Sequence, residues 1–268
     1  MVRVLSENEF KLLEPIMEKW VSRNQKGRKV HPWRPVINSI FWVLTTGAPW
    51  WALPQGKRFA HRATAHRWLW QMEAEGFLGE ILERLIELAE MVGGVDPGRL
   101  SIDGFFSSGR GGGEQVEYGY KGKGTTSHIL VESSGRPLAI CTTSAKGDEK
   151  DQVLPLLDKI KKLISKVWKK GEVAVLEADK GYDAKRVRME VLRHKMIPFI
   201  PYRQGSKAKQ GICYLEKFRW KVERTIAWIK TKYRRISTRW ERKVKYWEGF
   251  LYFALIGLWL KFLDKNIF

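Results

Sequence analysis

The segment Leu100-Ser-Ile-Asp-Gly-Phe-Phe106 begins the part of the sequence that decides the fold. Two further apolar segments of strand length follow at residues 126–132 and 137–143, and Ser134-Gly-Arg136 between them has the composition of a hairpin turn. Helical and strand-like patterns then alternate, in the order helix 150–166, strand 172–178, helix 184–194 and strand 196–201. Hairpin-connected strands followed by strands that alternate with helices predict a mixed-sheet α/β domain flanked by helices.

The sequence before this region has a helical pattern. Apolar residues recur at helical spacing in the segments 6–20, 35–44, 59–76 and 77–92. The run Gly93-Gly-Val-Asp-Pro-Gly98 has the composition of a linker, so we expect the domain boundary there. The predicted organisation is a small all-α domain at residues 1–95 and an α/β domain at residues 99–268, which includes two long C-terminal helices.

The composition excludes a disordered chain and indicates a polyanionic partner. Hydrophobic residues make up 44% of the chain, which is ample material for a core. Lys and Arg number 49 against 29 Asp and Glu, a formal charge of +20, and residues 201–245 alone hold 15 basic residues against three acids. This excess predicts contact with the phosphate backbone of nucleic acid. Trp220, Trp228 and Trp240 lie in the same region, and we expect at least one of them in the core.

The sequence also predicts a cellular location. Cys141 and Cys213 form no Cys-x-x-Cys motif, which argues against a disulfide framework or a cysteine zinc site and favours a reducing compartment. The N-terminus has no charged segment followed by an apolar one, and the apolar run 250–260 is about half as long as the ~20 residues of a membrane span. We expect a cytoplasmic protein with no membrane partner.

Three acidic residues have contexts that indicate one site. Asp103 lies near the end of the first strand, and Asp179 directly follows the strand at 172–178. In open α/β sheets, the carboxyl ends of strands border the crevice where ligands bind. A turn role before glycine is the alternative for either aspartate. Glu223 lies at the edge of the apolar stripe of a C-terminal helix, and its alternative is an exposed ion pair with Arg219.

The chemistry of these residues favours phosphoryl transfer. Carboxylates without a nearby His or Cys suit a hard cation such as Mg²⁺ or Mn²⁺, and a basic protein suits a phosphodiester substrate. Two ions acting together serve both the attacking and the leaving oxygen of such a reaction. The pattern predicts a site of two ions held by Asp103, Asp179 and Glu223, with Arg219 or Lys230 in contact with DNA.

A second DNA contact is predicted in the helical domain. Arg62, His66 and Arg67 fall on a helix after a turn rich in Pro and Gly, as in a helix-turn-helix, with a packing role as the alternative. His61 lies five residues before His66, about 140° away around a helix, which is unfavourable for holding one metal ion.

Other motifs indicate no further site. The glycine-rich run at 119–126 lacks the ending of a phosphate-binding loop and precedes a strand, and we expect residues 109–124 to form a mobile cover beside the site. Three more acids are predicted to be helix caps: Asp148, Asp151 and Asp183.

Three strings of the sequence resemble DDE transposases of bacterial insertion sequences, especially the insertion sequence five group. They are Ile102-Asp-Gly104, Ala178-Asp-Lys-Gly-Tyr-Asp183 and Arg219-Trp-Lys-Val-Glu-Arg-Thr-Ile-Ala-Trp-Ile-Lys230. Trp42-Val-Leu-Thr-Thr-Gly-Ala-Pro-Trp50 and Ala65-His-Arg-Trp68 look like the helical end-recognition region of that group, and residues 246–260 look like its terminal helix. The family pattern around the catalytic Glu has a Tyr where this chain has Glu216.

The resemblance implies a ribonuclease H-like catalytic fold that cleaves and joins transposon ends with Mg²⁺. It implies that Asp103, Asp179 and Glu223 are the catalytic carboxylates and that Arg219, Arg224 and Lys230 contact DNA. The partners would be double-stranded transposon ends and target DNA, bound by a homodimer or a larger assembly. The location would be the nucleoid in the cytoplasm of a prokaryotic cell. Two alternatives remain: a ribonuclease H-like nuclease without joining activity, and a catalytically silent domesticated DNA-binding protein.

Overall fold

The computed structural model describes residues 4–23, 32–169, 171–203 and 216–268. The chain divides into two compact units. The helical unit comprises the chain up to residue 92, residues 111–114 and residues 229–268, and the sheet unit comprises residues 93–110 and 115–228. Cys213 lies outside the described residues, as does Tyr214, the tyrosine nearest to Glu216.

The sheet unit is built on a mixed sheet. Its described strands are β1 (Arg99–Gly109), β2 (Glu117–Gly119), β3 (Gly122–Val131), β4 (Pro137–Ser144), β5 (Ala174–Glu177) and β6 (Met196–Phe199). They lie in the order β4-β3-β1-β5-β6, with β2 on the same edge of β3 as β4. Pairs among β1, β3 and β4 are antiparallel, whereas β1, β5 and β6 are parallel. This order and these directions are those of the ribonuclease H-like fold, so the predicted fold class is confirmed.

The described part of this unit also contains the helices α5 (Val153–Lys159), α6 (Lys161–Lys169), α7 (Lys185–Arg193) and α8 (Glu216–Lys232). The single helix predicted at 150–166 is instead a 3₁₀ turn, Glu149–Gln152, followed by α5 and α6, which are separated at Ile160. The helix α5 packs on β4 and on α7. The α8 helix begins in the sheet unit and ends in the helical unit.

The glycine-rich segment 109–124 is more regular than expected. The strand β1 continues to Gly109, and β2 and the start of β3 occupy much of the remainder. A Cβ atom at Gly124 would lie 2.2 Å from the Ser107 carbonyl oxygen, and one at Gly119 would lie 2.1 Å from that of Ala145. Glycine is required at these positions because the backbones approach closely. The expectation of a mobile cover is therefore wrong for the strand residues of this segment.

The helical unit surrounds its longest helix. Its described elements are α1 (Glu7–Arg23), α2 (Trp33–Thr46), α3 (Arg62–Ala74), α4 (Phe77–Met91), α9 (Arg234–Ser237), β7 (Thr238–Arg239) and α10 (Val244–Ile267), with a 3₁₀ turn at Trp50–Ala52. The helix α10 packs against α3, α4, α1 and α2. A Cβ atom at Gly249 would lie 2.7 Å from Leu69, so glycine permits the close crossing of α10 and α3.

The position of α10 differs from the predicted division of the chain. We assigned residues 99–268 to one domain, whereas contacts group residues 229–268 with the N-terminal helices. The reason is that α10 is apolar on all sides, with Trp247, Phe250 and Phe253 all buried. Such a helix needs partners around its whole circumference. The amphipathic helices α1, α2, α3 and α4 provide them.

Buried charge contributes to this unit. The Arg235 guanidinium contacts the Glu241 carboxylate at 2.6 Å, and both side chains are buried. The same guanidinium donates to the carbonyl oxygens of Gly47 and Ala48, at the C-terminal end of α2. Arg239 is fully buried and donates to the Glu241 and Glu114 carbonyl oxygens. Part of the basic excess in residues 201–245 therefore serves the core.

No helix within the described ranges is long and apolar enough to cross a membrane.

Candidate active site of the sheet unit

Asp103 and Asp179 come together through the parallel pairing of β1 and β5. Ser101 pairs with Glu177 in this register, so Asp103 and Asp179, two residues further along each chain, are level with each other. Residues two apart in a strand project from the same face, and neighbouring strands lie about 4.8 Å apart. The two carboxylates are therefore neighbours just beyond the end of β5.

The position of Asp103 within its strand differs from the prediction. We expected Asp103 near the end of the first strand, but it lies in the interior of β1, which continues to Gly109. The strand continues because it remains paired with β3 as far as Ser108 opposite Gly124. It is the shorter strand β5 that ends near this level, at Glu177.

Backbone amides fix both aspartates and leave an oxygen of each for a ligand. The Gly104 amide donates to Asp103 Oδ1 at 2.7 Å, and the Gly181 amide donates to Asp179 Oδ1 at 2.6 Å. Asp179 caps the 3₁₀ turn Lys180–Tyr182 in this way. A Cβ atom at Gly181 would lie 2.6 Å from Asp179 Oδ1, so this carboxylate can approach only glycine so closely. The turn role considered for each aspartate thus coexists with a position at the site.

Glu223 reaches the site from α8. Its side chain is half exposed, and its Oε1 atom lies 3.4 Å from the Arg219 guanidinium. The same guanidinium lies 3.9 Å from Asp103 Oδ2. Arg219 therefore stands between the two carboxylates, and the predicted Arg219–Glu223 ion pair is present alongside a contact with Asp103.

The electrostatics of Asp103 link the three acids. Burial raises the pKa of the Asp103 carboxyl to about 6, against the opposing effects of the Gly104 amide and Arg219. The negative charges of Asp179 and Glu223 raise this pKa further. A buried carboxylate with two acidic neighbours is stabilised by a cation, because the cation offsets both the burial and the repulsion.

The donor set fits a hard divalent cation, although its atoms do not surround one point. Within the described residues, no three side chains of His, Cys, Asp or Glu are arranged closely enough to hold a metal ion. Asp103 and Asp179 are adjacent, whereas Glu223 interacts with Arg219 instead. All candidate ligands are carboxylate oxygens, which Mg²⁺ and Mn²⁺ prefer. The expectation that the three carboxylates share two ions stays a prediction.

The predicted DNA contacts on α8 have different environments. The Arg224 guanidinium lies over the rings of Trp220 and Trp228, at 4.7 and 4.5 Å from their centroids, and donates to the Ser134 carbonyl oxygen. Lys230 is half-buried, two turns beyond Glu223 on the same helix. Trp220, Trp228 and Trp240 are all exposed, so the expectation that one of them would be in the core is wrong.

The three residues predicted to contact DNA from the helical unit also differ from one another. Arg62 and Arg67 are exposed on α3. His66 is half-buried and stacks on Tyr246, with ring centroids 4.0 Å apart, and burial lowers its pKa. Packing therefore accounts for the His66 ring, whereas the packing alternative does not explain Arg62 and Arg67.

The sequence did not single out one acid near the site, Glu149, which lies between Asp148 and Asp151. Asp148 caps the 3₁₀ turn Glu149–Gln152, as predicted, whereas Asp151 lies within that turn, does not cap it and pairs with Arg186. Asp183 does not cap the following helix α7, because its carboxylate accepts hydrogen bonds from Arg188 and from the Arg203 amide. Glu149, between the two aspartates of the turn, is the acid whose charge acts on the site. The sequence signal was an acidic turn directly after the third long strand.

The sheet order and the pair of carboxylates beside the end of β5 define the class of protein, a ribonuclease H-like protein with an acidic site. Residues 95–256 match the family model described as "Transposase DDE domain", and residues 5–82 match the model described as "Putative transposase of IS4/5 family". The chain belongs to the DDE transposase family, and the resemblance noted in its sequence is confirmed.

The chain is also similar to individual proteins. The chain is 34% identical over 129 residues to "Putative transposase for insertion sequence element IS402" of Burkholderia cepacia, a match that spans 48% of this chain and 59% of that protein. Among solved structures, a piggyBac transposase synaptic complex with hairpin DNA matches 97% of this chain and 73% of its own, at 7% identity and a TM-score of 0.49. The Mos1 transposase catalytic domain, in a structure with Raltegravir and Mg, matches 73% of this chain and 94% of its own, at 14% identity and a TM-score of 0.30.

Proposed function

We propose that this protein is a DNA transposase that recognises transposon ends and catalyses metal-dependent strand cleavage and strand transfer. The observation that carries the proposal is the register of β1 and β5, which makes Asp103 and Asp179 neighbours, together with the effect of Glu223 on the Asp103 carboxyl. A structural role alone does not account for two acids whose charges raise the free energy of the charged form of a third, Asp103. A cationic ligand does account for them.

In this proposal Asp103, Asp179 and Glu223 hold two Mg²⁺ or Mn²⁺ ions. The ions would activate the attacking water or hydroxyl and stabilise the leaving oxygen. The oxygen atoms of Asp103 and Asp179 that accept no backbone hydrogen bond are the ones available to face the cation. Arg219 compensates the carboxylates in the absence of an ion, and its guanidinium would turn to a DNA phosphate when an ion takes over that role.

The basic surface would bind double-stranded DNA at the transposon ends and at the target. Arg219, Arg224 and Lys230 on α8 would contact phosphates, which fix the position of the substrate without reading its sequence. Arg62, His66 and Arg67 on α3 would recognise the transposon end, with His66 orienting the helix through its stack on Tyr246. Two ends must be joined in one reaction, so the acting species would be a homodimer or larger, working on chromosomal DNA at the nucleoid.

The test uses the full chain and a DNA fragment that carries the inverted repeats flanking the gene. We expect Mg²⁺-dependent cleavage at the repeat ends, and joining of a pre-cleaved end to a second duplex. Cleavage without joining would favour the ribonuclease H-like nuclease, and selective binding without either reaction would favour the domesticated DNA-binding protein. For variants of the three site carboxylates, Asp183→Asn is a suitable control, because the Asp183 carboxylate is engaged by Arg188 and the Arg203 amide.

A further inference from the structure

A buried hydroxyl among the site carboxylates has no partner. Tyr182 is fully buried in the turn that follows Asp179, and its hydroxyl forms no hydrogen bond with any described residue. Burial raises the pKa of this phenol, and the charges of Glu149, Asp103 and Asp179 raise it further. The Tyr182 hydroxyl therefore remains protonated among acceptors. Because an unpaired buried hydroxyl is costly, its position indicates a ligand that it can bind.

Glu149 lies on a turn that is next to the turn of Tyr182. The 3₁₀ turn Glu149–Gln152 packs against the turn that holds Tyr182. The Arg186 guanidinium forms ion pairs with both Asp148 and Asp151, each at 2.6 Å. Both ion pairs are exposed, and they engage the two acids that flank Glu149 in the sequence.

Glu149 differs from the other acids of this turn in having no such partner. Asp148 and Asp151 are engaged by Arg186, whereas the half-buried Glu149 carboxylate forms no hydrogen bond or ion pair with another described residue. Burial raises its pKa, and the charge of Asp179 raises it further, which outweighs the opposing effects of Lys121 and Lys150. A half-buried carboxylate beside a second carboxylate is unfavourable for the folded chain alone.

We propose that Glu149 is a fourth carboxylate of the cation site, on the Asp179 side, and that the Tyr182 hydroxyl donates to a ligand held between them. This inference rests on the proposed function, since it adds residues to that site. Glu149 strengthens cation binding through its charge, and through bound water where its oxygen atoms do not reach the ion. Tyr182 supplies the proton donor that orients the water or phosphate oxygen in this space.

The experiment measures Mn²⁺ binding to the full chain by electron paramagnetic resonance at neutral pH. Glu149→Gln keeps the shape of the side chain and removes its charge, and we expect Mn²⁺ affinity to fall at least about tenfold. That is the effect of removing one unit charge about 6 Å from a divalent ion even at the dielectric constant of water. The matched control is Asp151→Asn, which removes one charge from the same turn and should change the affinity less than about threefold.

The outcomes separate this inference from the function on which it rests. Asp103→Asn should lose Mn²⁺ binding, and an unchanged affinity there would overturn the proposed cation site itself. If Asp103→Asn loses binding while Glu149→Gln matches the unmodified chain, the site stands and the role of Glu149 is overturned. Equal losses for Glu149→Gln and Asp151→Asn would also overturn it, since the effect would then be general electrostatics of the turn.

A second variant tests the hydroxyl. Tyr182→Phe removes one buried oxygen and retains the ring. We expect the water-proton relaxation enhancement of bound Mn²⁺ to change, because the hydroxyl holds a ligand of the ion, while the melting temperature in the absence of metal is unchanged or higher. A relaxation enhancement identical to that of the unmodified chain would overturn the role of Tyr182. A large drop in the metal-free melting temperature would overturn it as well, because the hydroxyl would then support the fold.

Discussion

Both units of this protein contain buried charged groups, and these groups differ in how completely they are paired within the chain. In the helical unit, Arg235 and Glu241 are buried together at 2.6 Å, and backbone carbonyls take up further donors of the arginine. In the sheet unit, Asp103 is partly buried beside other acids, and its ion-pair partner among the described residues, Arg219, lies at 3.9 Å and is shared with Glu223.

The difference separates charge that serves the fold from charge that serves a ligand. A buried ion pair with complete hydrogen bonding is balanced within the chain, and its loss costs stability. Neighbouring carboxylates are balanced only in part, so they lower the stability of the folded chain until a cation binds. The raised pKa of the Asp103 carboxyl, about 6, is the sign of that imbalance.

We expect the largest effect on strand cleavage from neutralising Asp103, the carboxylate whose charge is only partly compensated. Asp103→Asn should lower strand cleavage by at least about ten-thousandfold, equivalent to roughly 5 kcal/mol of transition-state stabilisation, because the cation loses a ligand. The melting temperature should stay the same or rise, since a buried charge is removed. Cleavage assays and thermal denaturation on the same preparation measure both. Parallel losses of activity and stability would break the comparison, because Asp103 would then belong with the fold.

The balanced pair should show the reverse behaviour. Arg235→Met leaves Glu241 buried without its cation and should lower the free energy of unfolding by about 3–5 kcal/mol. Arg235→Met combined with Glu241→Leu should recover much of the loss. The control is Arg84→Met, which breaks an exposed pair with Glu87 and should cost less than about 1 kcal/mol. Urea denaturation measures all three, and a single variant as stable as the double would refute the assignment.

The acids of the sheet unit could not all be identified equally well from the sequence. Asp179 could be found because a carboxyl residue directly after a strand is a local pattern. Asp103 lies in the interior of β1, and it is level with Asp179 because the shorter strand β5 pairs with β1 and ends beside it. Glu149 could not be ranked above Asp148 and Asp151, since only the position of Arg186 decides which acids are paired. Three adjacent acids look alike until the tertiary contacts are known.

The division of the chain was harder to predict for a similar reason. Periodicity identified α10 as a helix but not its neighbours, because a helix that is apolar on every side fits any sufficiently large core. The buried Arg235 and Arg239 were counted in the basic surface, although they bind carbonyl oxygens within the helical unit. Conversely, the exposure of Trp220, Trp228 and Trp240 runs against the usual burial of tryptophan.

A buried neutral residue gives an intermediate test. His128 is fully buried on β3, neither ring nitrogen has a hydrogen-bond partner among the described residues, and burial lowers its pKa to about 4. The unfolded chain protonates this histidine below its ordinary pKa of about 6.5, whereas the folded chain does so only near 4. Stability should therefore be complete above pH 6.5 and fall by up to about 3 kcal/mol as the pH decreases to 4.

The His128→Leu variant isolates this contribution. Its free energy of unfolding should lose that part of the pH dependence, because no group remains that the unfolded chain protonates more readily at this position. His61→Asn, at an exposed position where the side chain caps α3, should retain the pH dependence of the unmodified chain. If His128→Leu and the unmodified chain have the same profile between pH 4 and 6.5, the buried histidine is not the source.

The smallest expected effect sharpens the comparison on the basic side. Lys230 is half-buried on α8, seven residues beyond Glu223 and so about 20° away around the helix and about 10.5 Å along it. A lysine at that distance suits a phosphate beside the scissile bond without holding the metal.

Lys230→Ala should weaken binding of transposon-end DNA by about fivefold and reduce the slope of log K against log salt by about 0.9, the value for one lost phosphate contact. Lys232→Ala, on an exposed residue about 200° further around the same helix, is the control. If both variants bind and join ends within about twofold of the unmodified chain, Lys230 makes no DNA contact that matters and is not part of the site.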